Sequence, residues 1–194
     1  MVRIFLAGAT GVIGSRLIPL LVEEGQTVAG MTRSDMKAAE LEAFGAQPVI
    51  CDVYDASALA EAVNRFGPDA VMDQLTDLPD KLEDLPRYVA SNDRMRTEGT
   101  RNLVAAAKAA GVPRFVAQSI AWRPRRRGEV VDLHERQVLE INGVVARYGR
   151  LYGPGTYYEH RLPPHPRIHV DAAARATPPL LDVPSGVVTL VEPQ

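Results

Sequence analysis

Seven residues near the N-terminus constrain the fold more than any others: Gly8-Ala9-Thr10-Gly11-Val12-Ile13-Gly14. They follow the apolar run Val2–Ala7 and open into the amphipathic stretch Val12–Glu24. Glycines three apart at a strand-to-helix corner have a specific physical use. Gly8 permits the tight turn, Gly11 lets a ligand approach backbone without a Cβ in the way, and Gly14 lets helix and strand pack closely. Unpaired amides and the positive end of the helix dipole then face outward. Gly8, Thr10, Gly11, Val12, Ile13 and Gly14 are therefore candidate contacts for the diphosphate of a dinucleotide.

The rest of the chain repeats the same alternation. Val2–Ala7, Thr27–Thr32, Gln47–Val53, Asp69–Leu75, Arg114–Ile120 and Gly143–Tyr148 read as strands. Their nearly continuous apolarity suits strands covered on both faces. Val12–Glu24, Asp35–Phe44, Ser57–Phe66 and Asp93–Ala110 read as helices, with Gly25, Gly45, Gly67 and Gly111 as their stops. Ser57 and Asp93 are the expected caps, and Pro19 should bend the first helix. Strand–helix alternation with right-handed crossovers predicts an α/β fold, a Rossmann-type doubly wound parallel sheet. Residues 1–152 would form this domain. Residues 153–194, rich in Gly and Pro at first, would be a shortened C-terminal region packed on it, with a helix Asp171–Leu181 and a strand Gly186–Glu192.

Composition excludes several classes. A net charge of −2 gives no broad field for nucleic acid or an anionic membrane, and the run Arg123–Arg127 reads as a solvated loop. The apolar runs are strand-length, with no leader pattern, and a single cysteine (Cys51) suits a reducing compartment. The expected location is the cytoplasm. His160, His165 and His169 straddle prolines without helical register, so no metal site is expected.

The second strand ends Met31-Thr32-Arg33-Ser34, with no carboxylate before Asp35. An acid at this place binds the 2′-hydroxyl of NAD, whereas an arginine suits the 2′-phosphate of NADP. Arg33 thus points to NADP, with NAD the alternative.

Further segments complete a family pattern. Asp52-Val53, Glu98-Gly99-Thr100-Arg101-Asn102-Leu103, Val112-Pro113-Arg114-Phe115-Val116, Arg147–Gly155 and Ile168–Ala173 occur in order along nearly the whole chain. Together with the glycine turn they resemble the atypical and extended short-chain dehydrogenase/reductases, the NAD(P)-dependent epimerase/dehydratase family. The resemblance implies that Asp52 and Val53 lie at the adenine, Leu75 and Thr76 along the cofactor ribose, and Tyr148 and Gly149 near the nicotinamide. It also implies a small-molecule substrate, and a homodimer through the helix Asp93–Ala110.

One part of the pattern is missing. The family's Tyr-x-x-x-Lys pair works because the ammonium lowers the phenol's pKa. The three lysines here, Lys37, Lys81 and Lys108, never follow a tyrosine by four. Counting back from Glu135, Arg127 and Val131 stand where Tyr and Lys belong. Ser119 is the candidate catalytic hydroxyl, although Ile120 aligns better with the family's catalytic position. Tyr157 with Arg161 mimics the spacing in the wrong place. The stretches 123–133 and 156–168, which build the family's substrate pocket, are short. Two hypotheses follow: an oxidoreductase or epimerase-like enzyme moving a hydride between nicotinamide and a carbonyl or alcohol, or a non-catalytic NADP-binding sensor or partner-binding module.

Overall fold

The computed structural model describes residues 1–124 and 127–193. Arg125 and Arg126, within the arginine run discussed above, lie outside the described residues. In chain order the elements are β1 Arg3–Ala7, α1 Gly14–Glu23, β2 Thr27–Thr32, α2 Asp35–Ala43, β3 Gln47–Ile50, α3 Ala56–Phe66 and β4 Ala70–Asp73. Then come α4 Leu85–Arg94, a π-helical turn Met95–Gly99, α5 Thr100–Ala109, β5 Arg114–Ile120, α6 Gly128–Leu139 and β6 Val144–Tyr148. The chain ends with β7 Arg150–Tyr152, β8 Arg167–His169, α7 Val170–Ala176, a 3₁₀ turn Pro178–Leu181 and β9 Gly186–Leu190.

Among the described residues a seven-stranded sheet runs β3-β2-β1-β4-β5-β6-β9, with every neighbouring pair parallel. The order reverses between β1 and β4, which places a crevice at their C-terminal ends. The two faces carry separate cores. Ile4, Leu6, Val28, Met72, Val116 and Tyr148 pack with α1 and α7, while Phe5, Ala29, Val71, Phe115 and Val145 pack with α3, α5 and α6. This period-two partition is the signature of a doubly covered sheet.

Local chemistry explains most boundaries. Gly25, Gly45, Gly67 and Gly111 all adopt positive φ just past their helices, as expected of stop residues. Pro19 sits inside α1, one turn beyond Ser15 in a helix whose first turn is closed by the Ser15 amide on the Gly11 carbonyl. Two caps differ from expectation. Asp55, not Ser57, caps α3, its carboxylate accepting the Ala58 amide at 3.0 Å. Asp93 does not begin its helix: the helical path starts at Leu85, where Pro86 fits the first turn because its missing N–H would be unpaired there. Asp93 instead forms an ion pair with Arg127.

Helix α6 and the two-stranded β7–β8 ladder had no counterpart among the expected elements. The third and fourth strands stop at Ile50 and Asp73, short of Val53 and Leu75, because the chain turns there into the crevice wall. The last helix ends at Ala176 and tightens into the 3₁₀ turn, since Pro178 and Pro179 cannot donate to continue it. Among the described residues no helix is long and apolar enough to cross a membrane.

Candidate functional site

The glycine corner has the geometry its spacing requires. Gly8 has φ +79°, and a Cβ there would lie 2.6 Å from the Gln74 carbonyl carbon in the next strand's exit. A Cβ on Gly14 would collide with the Gly8 carbonyl and sit 2.9 Å from Ala9 Cα, so α1 reaches β1 through bare backbone. The turn closes on itself through Gly11 N–H to the Gly8 carbonyl (3.0 Å). Among the described residues, the Val12 amide donates no hydrogen bond within the turn. Gly11 is exposed, and its lack of a Cβ keeps this side of the corner open.

Arg16 locks the corner in place. Its guanidinium donates to the Val12 carbonyl (2.8 Å), to Asp171 at the start of α7 (2.8 Å) and to the Pro154 carbonyl (2.7 Å). The hydrogen bond from Arg16 holds the Asp171 carboxyl below its usual range. Gly155, in the same loop, faces Val12. Sequence reasoning passed over Arg16, whose partners are distant in the chain.

One end of the crevice is built from the exits of β2 and β3. Arg33 is exposed at the tip of β2. Asp52 is exposed and accepts the Tyr54 amide at 2.9 Å, while Val53 is buried with its carbonyl receiving Asn102 Nδ2 at 3.0 Å. Tyr54 carries the Arg94 guanidinium 3.8 Å above its ring, and burial raises its phenol pKa. Leu75 and Thr76 follow β4. The Leu75 amide donates to Asp73 at 3.0 Å and its carbonyl accepts Gln118 Nε2 at 3.0 Å, leaving Thr76 exposed.

At the opposite end the sheet buries a polar network. Asp73, the last residue of β4, is 1% exposed. Thr100 Oγ1 lies 2.9 Å from His134 Nδ1 and 3.4 Å from Asp73, and His134 Nε2 lies 2.7 Å from the Gln118 carbonyl. A carbonyl only accepts, so Nε2 carries the proton and Nδ1 of a neutral ring accepts the Thr100 hydroxyl. Burial pushes Asp73 up and His134 down, toward neutral forms of both. His134 escaped sequence reasoning; its one signal was spacing, since 134 and 138 share the buried face of α6.

Ser119 is also buried, at 1% exposure, and donates to Glu135 at 2.6 Å. Arg147 grips the same carboxylate with bonds of 2.8 and 2.5 Å. Burial alone would raise the Glu135 pKa, but the hydrogen bonds from Arg147 and Ser119 hold it below the ordinary value. Val131 and Glu135 line a cavity of about 200 Å³ with Trp122, Asp132 and Arg147.

Tyr148 lies on the other sheet face. Thr177 donates to the Ala173 carbonyl, so the Tyr148 hydroxyl donates to Thr177 (2.7 Å), and burial pushes its pKa up to about 12. Gly149 approaches β8, where a Cβ would fall 2.6 Å from the Arg167 carbonyl carbon. Tyr157 and Arg161 do not pair as their spacing suggested. The Tyr157 hydroxyl donates to the Pro79 carbonyl at 2.5 Å, and Arg161 stacks on Tyr158. This bond joins the loops around a second cavity of about 540 Å³, lined by Lys81, Glu83, Thr156 and His160 among others.

Comparisons agree with this architecture. Residues 8–140 match the family described as NAD(P)H-binding. The chain is 38% identical over 181 residues to the 3-diazoavenalumate denitrifying reductase of a Streptomyces species, covering 80% of this chain and 58% of that protein. Its matches to the other curated relatives span only about a fifth to a third of their lengths. Among solved structures, the anaerobillin reductase ChuY of Escherichia coli O157:H7 superposes with a TM-score of 0.74 at 21% identity, covering 98% of this chain and 97% of that one. The Bordetella bronchiseptica enzyme WbmH, solved with NAD+, gives 0.77 at 20% identity, covering 98% and 75%. Turn, sheet order and family match converge: the chain belongs to the NAD(P)H-binding family and has a Rossmann-like fold.

Proposed function

We propose that this protein is an NADP(H)-dependent reductase acting on a carbonyl or comparable electrophilic group of a small molecule. The observation that carries this reading is the open glycine corner at the crossing point of the sheet, with Arg33 exposed at the tip of β2. The corner fits a diphosphate because the Val12 amide donates no hydrogen bond within the turn and Gly11, lacking a Cβ, leaves the approach to it open. Arg33 would bind the 2′-phosphate, Asp52 and Val53 would flank the adenine, and Leu75 and Thr76 would lie along the ribose. The cofactor supplies the hydride.

The chain's own residues orient and exclude. Arg16 fixes the corner, and the Asp73–Leu75 bond fixes the ribose wall. Ser119 enters as a positioning residue that braces Glu135 at the end of β5, because its hydroxyl is buried and already donating. With Tyr148 tied to Thr177, water is the proton source in this reading. The name of the Streptomyces relative supports reduction as the reaction class.

A sensor that binds NADP without turnover is the second reading, favoured by the missing Tyr-x-x-x-Lys pair and the burial of Ser119. The test is a titration of NADPH and NADH into the wild type and Arg33→Asp, followed by loss of NADPH absorbance with a carbonyl panel. The reductase reading expects turnover with NADPH, and a loss of NADPH affinity in Arg33→Asp much greater than any loss for NADH. Tight NADPH binding without turnover across the panel selects the sensor, and equal losses for both coenzymes remove Arg33 from the site.

A further inference from the structure

Arg96 is a buried arginine with no part in the site described so far. It lies in the π-helical turn Met95–Gly99 and is 7% exposed. Its Nη1 is shut off from solvent and has no hydrogen-bond partner, and Arg96 forms no salt bridge among the described residues. A guanidinium stays charged under any ordinary condition, so burying one unpaired is costly. Such a group is explained when its partner arrives with a ligand.

The position suits that explanation. Gly99, three residues on, packs bare backbone against Val53 at the β2–β3 end of the crevice, where a Cβ would meet Val53 Cγ1 at 3.4 Å. Thr100, the next residue, belongs to the buried network under β4 and β5. Desolvation pulls the Arg96 pKa down, and the nearby carboxyls of Asp73 and Glu135 pull it up. The Met95–Gly99 turn packs on α6, and the adjoining Thr100 reaches Asp73 and His134, so Arg96 sits beside the residues that end β4 and brace the end of β5. Other polar groups at this end are occupied: Asp73 by Leu75 and Thr100, His134 by Thr100 and Gln118, Ser119 by Glu135. Arg96 alone among them keeps a free donor. π-turns of this kind recur where a helix presents a functional side chain.

We propose that Arg96 is the catalytic cation of this protein, its guanidinium meeting the oxygen of the substrate's carbonyl, or an equivalent anionic oxygen, at the β4–β5 end of the crevice. This rests on the reductase reading. The carbonyl carbon takes a hydride from a reduced nicotinamide cofactor, the π pair moves onto oxygen, and that charge is met by Arg96. A proton from water completes the alcohol, and the cofactor leaves oxidised. The Arg96 charge thus takes over the stabilising part of the absent Tyr–Lys pair.

Benzoate, a simple carboxylate, is the probe. Calorimetry would titrate benzoate into wild type, Arg96→Met and Arg96→Lys, each with and without saturating NADP+, alongside NADPH affinity and thermal midpoints. The proposal expects benzoate affinity to fall by about tenfold or more in Arg96→Met. It expects partial retention in Arg96→Lys, NADPH affinity within about twofold of wild type, and a midpoint for Arg96→Met that does not fall, because an unpaired buried charge has been replaced by an apolar chain of similar volume. No benzoate binding by wild type, equal binding by Arg96→Met, or a lowered midpoint with lost NADPH binding would each overturn it. Arg96-dependent benzoate binding in a protein that ignores NADPH would support the anion site and reject the reductase reading.

Discussion

Thr100 on α5 and His134 on α6 are joined by a 2.9 Å hydrogen bond beneath the sheet, and through them α5 and α6 are tied to the ends of β4 and β5. His134→Ala would strand the Gln118 carbonyl and the Thr100 hydroxyl and open a cavity. The expected loss is about 3 kcal/mol or more, read from urea midpoints at unchanged slope. His134→Gln, which keeps a donor for the Gln118 carbonyl, should lose less. Equal stability of His134→Ala and wild type would show that the network contributes nothing.

Glu135 makes stability depend on acid. Its folded pKa lies below the ordinary value of 4.5, so its contribution is complete above that value and disappears as pH falls through the folded pKa. Glu135→Gln should therefore be less stable than wild type at neutral pH, by about 1 kcal/mol given the partly exposed Arg147. As pH falls below 4.5 and through the folded pKa the two should converge. Ser119→Ala should cost about 1–2 kcal/mol and weaken the same acid limb. Parallel curves for wild type and Glu135→Gln from pH 7 to pH 3 would refute this assignment.

Two glycines separate crowding from backbone strain. Gly25 has φ +79° and nothing within 4 Å of a Cβ, so Gly25→Ala should cost about 1 kcal/mol and leave coenzyme binding intact. Gly14→Ala forces a methyl into the Gly8 carbonyl and should cost about 3 kcal/mol or more, with binding lost in whatever folds. Thermal midpoints with and without NADPH measure both. Equal, small effects would mean that α1 and β1 do not need bare backbone at their contact.

The parts of this fold that were legible in the amino-acid order are those governed by near neighbours. The Gly8–Gly14 corner, the strands Thr27–Thr32 and Arg114–Ile120, and the glycine stops all rest on interactions within a few residues. The start of α4 was hidden because Ser91, Asn92 and Asp93 look like a cap, whereas Pro86 marks the real beginning eight residues earlier than Asp93's expected place. Helix α6 begins after Arg127 in the left-handed region with no side-chain cap, so it announces itself poorly. Asp73, Thr100, Gln118 and His134 come from four elements, and only the sheet order brings them together. The crevice was therefore readable at its glycine corner and opaque at the ends of β4 and β5.

The decisive question is whether the corner at Gly8–Gly14 holds a dinucleotide diphosphate. Calorimetric titration of NADPH and NADH into wild-type protein measures this. The predicted result is saturable one-to-one binding with NADPH the tighter ligand, abolished when Gly11→Val closes the approach to the backbone. Absence of heat from both coenzymes at millimolar concentration, or undiminished binding by Gly11→Val, would contradict it.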